Sequence, residues 1–248
     1  MSNRNLGASM KPLGDSALIV QLGEGISPSI HELVSNLSVL LNNHPFEGFI
    51  ESVPAYNNLT IYYNPVVVHH SQINKEVHHA PLTPFQKVSA FMEELVQQIG
   101  KNKLYDKRVV TIPVIYGGEY GPDLEYVAKY HSLSVEEVIQ IHSGGDYLVY
   151  MIGFAPGFPF MGGLSEQIAT PRKATPRLVI PSGSVGIAGK QTGVYPLETP
   201  GGWQIIGRTP LDLFLPTISP PTLLQAGDKI RFAPISPKEY DHYKEMKL

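Results

Sequence analysis

Glycine and proline are concentrated in one stretch of this 248-residue chain, and that concentration limits what the chain can fold into. Residues 144–207 hold 13 of the 23 glycines and seven of the 22 prolines. Both residue types interrupt helices, because glycine loses the most backbone entropy on ordering and proline lacks the N–H of a helical hydrogen bond. The apolar runs between them predict short strands at 147–152, 177–180, 203–206 and 229–232. Many short strands separated by turns predict a closed antiparallel barrel.

The first hundred residues have a different pattern, in which apolar side chains recur at helical spacing. One predicted helix starts at Ser27-Pro28 and ends near Asn42-Asn43, and a second starts at Thr83-Pro84 and ends at Gly100. Strands are predicted at 16–22, 48–53 and 59–63, with 109–115 as a possible fourth strand. This order of elements predicts an α+β domain.

A charged stretch at residues 101–108 separates the two patterns and predicts a linker. We therefore expect an α+β N-terminal domain over residues 1–103 and a mainly-β barrel domain over residues 104–248. A helical insertion is predicted at residues 122–142. It resembles a helix-turn-helix core, but its second helix has no Lys or Arg to contact DNA, and Ser134 with Glu137 predicts a capping box instead.

Composition excludes several classes of protein. The chain has no cysteine, so disulfides, thiolate nucleophiles and cysteine-bound zinc or iron–sulfur clusters are excluded. Its net charge of −3 argues against nucleic-acid and membrane partners. The uncharged stretch 147–165 is as long as a membrane span, but its glycines and prolines would break a helix exposed to lipid. No signal peptide is predicted, and we expect a cytoplasmic location.

No metal site is predicted. The pairs His69-His70 and His78-His79 could supply ligands, but their segment is polar and without periodicity, so we expect an exposed loop there.

The basic residues are unevenly distributed. Residues 167–208, which we call the cationic segment, contain five basic residues and one acid, although the whole chain is acidic. A local positive field suits a carboxylate or phosphate ligand or an acidic protein partner, and it is equally compatible with solvated loops.

Within the cationic segment, the glycine-rich stretch 182–193 does not match a Walker A loop, because Ser184 and Gln191 occupy two fixed positions of that motif. Its glycines fit either a backbone cradle for a ligand or tight barrel turns.

Several segments resemble one known family, the allophanate hydrolase subunit 1 family, along nearly the whole chain. They are GDSALIVQLGEGIS (14–27), VPAYNNLTIYYNP (53–65), IHSGGDYLVYMIGFAPGFPFMGGL (141–164), TPRLVIPSGSVGIAGKQTGVYPLETPGGWQIIGRTP (175–210) and GDKIRF (227–232). Members of that family include the B subunit of bacterial ATP-dependent 5-oxoprolinase and the KipI inhibitors of a histidine kinase. The resemblance implies that the barrel is cyclophilin-like, which by itself implies no prolyl isomerase activity.

The resemblance also implies a function that depends on partners. We expect a non-autonomous subunit of an enzyme that opens 5-oxo-L-proline to L-glutamate with ATP hydrolysis, working with a carboxyltransferase-like C subunit, plus a LamB/YcsF-type A subunit. ATP with Mg²⁺ is expected in the assembled complex, and no covalent biotin is expected on this chain. Two alternatives stay open, a KipI-type protein that binds a histidine kinase and inhibits its autophosphorylation, and a subunit of urea or allophanate metabolism.

Candidate binding residues follow from side-chain chemistry in the barrel half, and no catalytic residue is assigned. Phe154, Phe158 and Trp203 are expected to serve packing more than binding. The predicted site comprises Arg177, Lys190 and Arg208 as anion contacts, Ser184, Gln191 and Tyr195 as hydrogen-bonding groups for a small amide or carboxylate, and His142 as the imidazole of the glycine-rich half.

Overall fold

A computed structural model describes residues 8–73, 82–99 and 108–246. The chain divides into two compact units, residues 1–106 and 107–248. The predicted boundary after residue 103, most of the predicted linker, Gly100 and His78-His79 lie outside the described residues, as does Lys247, where no covalent biotin is expected.

The first unit contains a four-stranded antiparallel sheet in the order β1-β2-β4-β3. Its elements are β1 (Ser9–Pro12), β2 (Ala17–Gln21), α1 (Pro28–Asn43), β3 (Phe49–Pro54), β4 (Asn58–Tyr63), α2 (Pro65–His70) and α3 (Pro84–Val96). Helices α1 and α3 pack against the sheet because their apolar faces meet its buried side chains, among them Leu18, Val20, Leu59 and Ile61. The expected α+β domain is confirmed.

Three details of this unit differ from the sequence expectations. The fourth strand of the sheet is β1, a short, mostly exposed edge strand, whereas 109–115 is a strand of the barrel. Helix α3 ends at Val96, four residues before the expected end. The segment expected to be a loop at His69-His70 is the end of helix α2, which forms because Pro65 occupies its first turn and Asn64 accepts the N–H groups of Val66 and Val67.

The second unit is built around a closed seven-stranded barrel. Its strands follow the order β10-β7-β6-β13-β5-β12-β9, and β9 pairs with β10 to complete the circle. The elements are β5 (Val109–Tyr116), α4 (Leu124–Tyr130), α5 (Val135–Ser143), β6 (Tyr147–Ile152), β7 (Pro159–Gly162), a 3₁₀ turn (Glu166–Ile168), β8 (Arg177–Ile180), β9 (Ser184–Ala188), β10 (Gln191–Val194), β11 (Thr199–Gly201), β12 (Gln204–Arg208), β13 (Lys229–Pro234) and α6 (Pro237–Glu245).

The expected barrel domain is confirmed, but the barrel is mixed, not wholly antiparallel. Strand β13 runs parallel to β5, which is possible because more than a hundred residues connect them. The predicted helical insertion is present as α4 and α5, and the predicted capping box of Ser134 and Glu137 is formed at the start of α5.

The barrel interior is filled by aliphatic and aromatic side chains from its strands. Strand residues alternate between the two faces of the wall, so Val185 and Ile187 of β9 point inward while Ala188 points outward. Strands β8 and β11 pair separately as a two-stranded sheet. Within the described ranges, no helix combines the length and the apolar character that crossing a membrane requires.

Candidate functional site

A cavity of about 300 Å³ lies against the outer face of the barrel wall, and we call it the aromatic pocket. This volume is at the lower end of small-molecule sites. The lining is mostly aromatic and consists of Phe154, Phe158, Phe160, Arg172, Pro176, Tyr195, Pro200, Gly201, Gly202 and Trp203.

Edge-to-face contacts hold the floor of the aromatic pocket in place. The ring of Phe158 lies 5.5 Å from that of Trp203 and 5.2 Å from that of Tyr195, measured between centroids, with both pairs nearly perpendicular. Such pairs are worth about 1 kcal/mol each beyond the burial of their area. Gly193 lies directly beneath these rings, since a Cβ there would come within 3.0 Å of Trp203 and 3.1 Å of Phe158. Glycine at this strand position therefore lets the aromatic rings pack closely on the barrel wall.

Tyr195 contributes a polar group to this apolar site. Its hydroxyl packs against Gly201, where a Cβ would lie only 2.5 Å from the oxygen. Burial raises the pKa of Tyr195 to about 12, although the backbone N–H of Trp203 and the nearby charges of Arg172 and Arg177 act in the opposite direction. The hydroxyl is therefore protonated at neutral pH and can donate a hydrogen bond.

Arg172 lies at the mouth of the aromatic pocket. Its guanidinium carbon is 6.0 Å from the centroid of the Trp203 ring, in a cation–π arrangement, and the side chain is exposed. In the part of the chain that the structure describes, no carboxylate pairs with it. The charge of Arg172 is thus available to an anion.

Buried Asp123 fixes the segment that carries Arg172. Both oxygens of its carboxylate accept from Arg177, each at 2.7 Å, while Lys173 donates at 3.1 Å and the N–H of Ile205 at 2.7 Å. Burial alone would raise the pKa of Asp123, but these hydrogen bonds outweigh it and hold the pKa below its ordinary value.

Backbone contacts hold the same segment from the other side. The N–H of Lys173 donates to the carbonyl of Gly202 at 2.7 Å, and Gln204 Nε2 donates to the carbonyl of Pro171 at 2.9 Å. Arg172 therefore stands between two anchored residues, and its backbone is positioned before any ligand arrives.

The structure gives the other predicted cations different surroundings. Arg177 is held by Asp123, and Lys190 forms an exposed ion pair with Glu166. The guanidinium of Arg208 lies over the Tyr120 ring at 5.5 Å and bonds to the hydroxyl of Tyr240. Their proposed anion contacts stay predictions, and these existing interactions would have to be shared with a ligand.

His142 is inside the barrel and is not open to a ligand in this conformation. The hydroxyl of Thr192 donates its single proton to the carbonyl of Gly186. Its oxygen therefore accepts a hydrogen bond from Nε2 of His142 at 2.9 Å. Nδ1 in turn accepts from the hydroxyl of Tyr116 at 2.8 Å, and the imidazole stacks on Phe232. Burial lowers the pKa of His142 to about 3, so the ring is neutral.

The remaining predicted residues lie in the β9–β10 hairpin, where the glycine-rich stretch 182–193 forms strands and a turn at Gly189. The tight turn of one alternative is present, and the backbone cradle for a ligand stays a prediction. Ser184 is fully buried, and its hydroxyl has no hydrogen-bond partner among the described residues. Gln191 is partly buried at the start of β10. Of the seven predicted site residues, only Tyr195 lines the aromatic pocket.

Sequence reasoning missed most of the aromatic pocket. Phe158 and Trp203 serve packing, as expected, and also form the floor, but Phe154 is 70% exposed at the rim with a positive φ of 70°. Arg172 was one of five cations in the cationic segment, and nothing local distinguishes it from the others. Its availability follows from pairings between residues that are distant in sequence.

The two units together match a class of carboxyltransferase-domain proteins. The family described as carboxyltransferase domain, subdomain C and D, matches residues 8–224. Over 236 residues, 95% of this chain and 96% of its relative, the sequence is 51% identical to the 5-oxoprolinase B subunit of Bacillus subtilis (strain 168). The chain belongs to the 5-oxoprolinase B subunit family of carboxyltransferase-domain proteins.

Solved structures show the same fold within longer chains. The crystal structure of TTHA0988 aligns with 89% of this chain at a TM-score of 0.73 and 33% identity, and that of the K. lactis urea amidolyase aligns with 96% at 0.69 and 18%. This chain spans 40% of the first of these proteins and 15% of the second. At 18% identity, the likeness to the amidolyase shows the fold alone.

Proposed function

We propose that this chain is the B subunit of a heteromeric, ATP-dependent 5-oxoprolinase that opens 5-oxo-L-proline to L-glutamate. The observation that carries the proposal is the 51% identity to a 5-oxoprolinase B subunit over nearly the full length of both proteins. A small-molecule pocket with a polar hydroxyl and an available guanidinium supports it, because the substrate is a small carboxylated amide.

The chemistry explains why ATP is needed. A lactam is a poor electrophile, since the amide resonance stabilises its carbonyl. Transfer of the γ-phosphoryl group of ATP to the amide oxygen releases ADP and converts that oxygen into a leaving group. Water then adds to the same carbon, the ring C–N bond breaks and a second water displaces phosphate, so one ATP and two waters yield glutamate, ADP and phosphate. Such steps need cations around phosphate and donors for the developing oxyanion.

This chemistry is proposed for the assembled complex and not for the chain alone. The same fold is one part of longer relatives, which supports the idea that further domains are supplied here by separate chains. We propose a carboxyltransferase-like C subunit, plus a LamB/YcsF-type A subunit, for these roles. ATP with Mg²⁺ would bind in the complex, in a cytoplasmic location where ATP is available. Inhibition of a histidine kinase and a role in urea or allophanate metabolism stay predictions.

Reconstitution tests the proposal. The chain is co-expressed with the two partner subunits, and glutamate and ADP are measured with 5-oxo-L-proline as substrate. We expect one ADP for each glutamate, activity only when all three subunits are present, and no turnover by this chain alone. Absence of glutamate from the complete assembly, or an equal rate without this chain, would contradict the proposal.

A further inference from the structure

We propose that the aromatic pocket is the binding site for the substrate ring, a flat five-membered lactam whose carboxylate contacts Arg172. This inference rests on the proposed function and names the site on this subunit where the substrate would be held.

The positive charge of Arg172 at the mouth of the aromatic pocket favours a ligand that carries a carboxylate. Among the five cations of the cationic segment, Lys173, Arg177 and Lys190 are paired with carboxylates, and Arg208 is held by two tyrosines. Arg172 and Arg208 both lack an acidic partner among the residues described, but only Arg172 lines the aromatic pocket, beside the face of Trp203. A guanidinium in this position can donate two hydrogen bonds to a carboxylate while it keeps its stacking contact.

The shape and polarity of the aromatic pocket favour a small lactam ring. The floor formed by Phe158, Tyr195 and Trp203 is apolar and suits the carbon face of a small flat ring. A cavity of about 300 Å³ admits a single-ring metabolite more readily than a nucleotide with its sugar and phosphates. The protonated hydroxyl of Tyr195 lies in the same lining and can donate to the amide oxygen of the ring.

The rim supports the same occupant. Phe154 holds a left-handed backbone conformation, which is strained for a bulky residue, and it exposes 70% of its surface to water. Its ring contacts Phe158 edge to face, with centroids 5.4 Å apart. A ligand lying on the floor would cover part of this exposed ring, and that burial would offset part of the backbone strain.

The mouth of the aromatic pocket is also positioned in advance. Asp123, Gly202 and Gln204 anchor the residues on both sides of Arg172. Binding therefore does not have to order the backbone of that segment, which keeps more of the contact energy as affinity.

Fluorescence of the full chain gives a direct test, because Trp203 is its single tryptophan and forms part of the floor. The protein is titrated with 5-oxo-L-proline and with 2-pyrrolidinone, which has the same lactam ring but no carboxylate. We expect a saturable change with 5-oxo-L-proline, and half-saturation at a concentration at least about tenfold higher with 2-pyrrolidinone. The Arg172→Gln variant should lose the preference for the carboxylated ring. Arg231→Gln is the matched control, since it removes another exposed guanidinium elsewhere on the barrel.

Kinetics of the reconstituted complex separate this inference from the proposed function. Arg172→Gln should raise KM for 5-oxo-L-proline about tenfold and leave KM for ATP unchanged, with Arg172→Lys in between. Gly201→Ala should raise the same KM by displacing the Tyr195 hydroxyl from its present position without removing any charge. Melting temperatures of all variants confirm that each one is folded.

Each outcome decides one of the two proposals. Equal KM values for the Arg172→Gln and Arg231→Gln complexes would overturn the pocket assignment while glutamate formation upholds the proposed function. A complex of wild-type subunits that forms no glutamate would overturn the function, and the titration would still decide whether the lactam binds. A change in Trp203 fluorescence caused by one of the partner subunits, with none caused by 5-oxo-L-proline, would assign the aromatic pocket to a contact between subunits and overturn the inference.

Discussion

The interior of the barrel and the aromatic pocket on its outer face differ in how their polar and charged side chains are partnered. Inside, His142 is fully buried and both of its ring nitrogens are hydrogen-bonded. Outside, Arg172 and the ring of Phe154 stay exposed around a well-packed aromatic floor. A face that is sealed and fully satisfied contributes stability, whereas a face left open with an unpaired cation can bind a ligand. The two faces can be changed separately by mutation.

Removal of His142 should have the largest effect on stability. The His142→Ala variant leaves a cavity and deprives the buried Tyr116 hydroxyl and Thr192 hydroxyl of their partner, which should cost about 4 kcal/mol of the free energy of unfolding. Urea unfolding measures the loss, and the exposed His242→Ala variant is the control, expected within about 0.5 kcal/mol of wild type. KM for 5-oxo-L-proline should not change in the folded variant. A small loss of stability would show that the interior tolerates open polar groups.

Asp123 is buried and anchors the segment that carries Arg172, so its removal should affect both stability and binding. Asp123→Asn takes the charge from a buried carboxylate whose partners are partly exposed, and we expect a loss of about 2 to 3 kcal/mol. KM for 5-oxo-L-proline should also rise, because Lys173 and Arg177 no longer anchor the segment around Arg172. Asp146→Asn, which removes an exposed ion pair with Arg231, is the control and should change neither quantity. An unchanged KM in a destabilised Asp123→Asn variant would separate Asp123 from the positioning of Arg172.

As the pH falls, the free energy of unfolding should decrease first because of His142 in the barrel interior and only later because of Asp123. The pKa of His142 is about 3 in the folded chain and near 6.5 when unfolded, so the unfolded state binds the proton first as the pH falls. The contribution of His142 to the free energy of unfolding is complete above pH 6.5 and is lost as the pH falls toward 3. Between pH 7 and pH 5 the loss is about 2 kcal/mol. The lowered pKa of Asp123 adds a further loss only below its ordinary value near 4.

Unfolding measured at several pH values tests this order. The His142→Gln variant should have a flatter profile between pH 7 and pH 5 than the wild type. Parallel profiles for the two proteins would show that His142 is not the group that titrates.

The smallest effect is expected at Lys190. Its ion pair with Glu166 is exposed on both sides, and such pairs contribute about 0.5 kcal/mol or less. Lys190→Gln should therefore leave both unfolding and KM for 5-oxo-L-proline nearly unchanged. A rise in KM comparable to that of Arg172→Gln would restore Lys190 as the anion contact suggested by its residue type.

Elements specified by adjacent residues were predictable from the sequence. Helix α1 begins at its proline, and the capping boxes at Thr83 and Ser134 form because their partners are three residues away. Strand β1 was missed because four mostly exposed residues carry no apolar pattern, and it exists only through pairing with β2. Helix α2 was missed because it is shorter than two full turns of periodicity and depends on its cap at Asn64.

The sequence by itself determined two domains of different class and the segment of the chain where positive charge collects. Gly and Pro spacing, helix caps and apolar periodicity are local, so they act before the chain folds. Only the tertiary structure decided which cation stays available and where the aromatic pocket lies. Asp123 reaches Arg177 across 54 residues and His142 reaches Thr192 across 50, and such partners are brought together only by closure of the barrel. Arg172 became the candidate because folding paired three other cations of its segment with carboxylates, placed Arg208 away from the aromatic pocket and left the charge of Arg172 at its mouth.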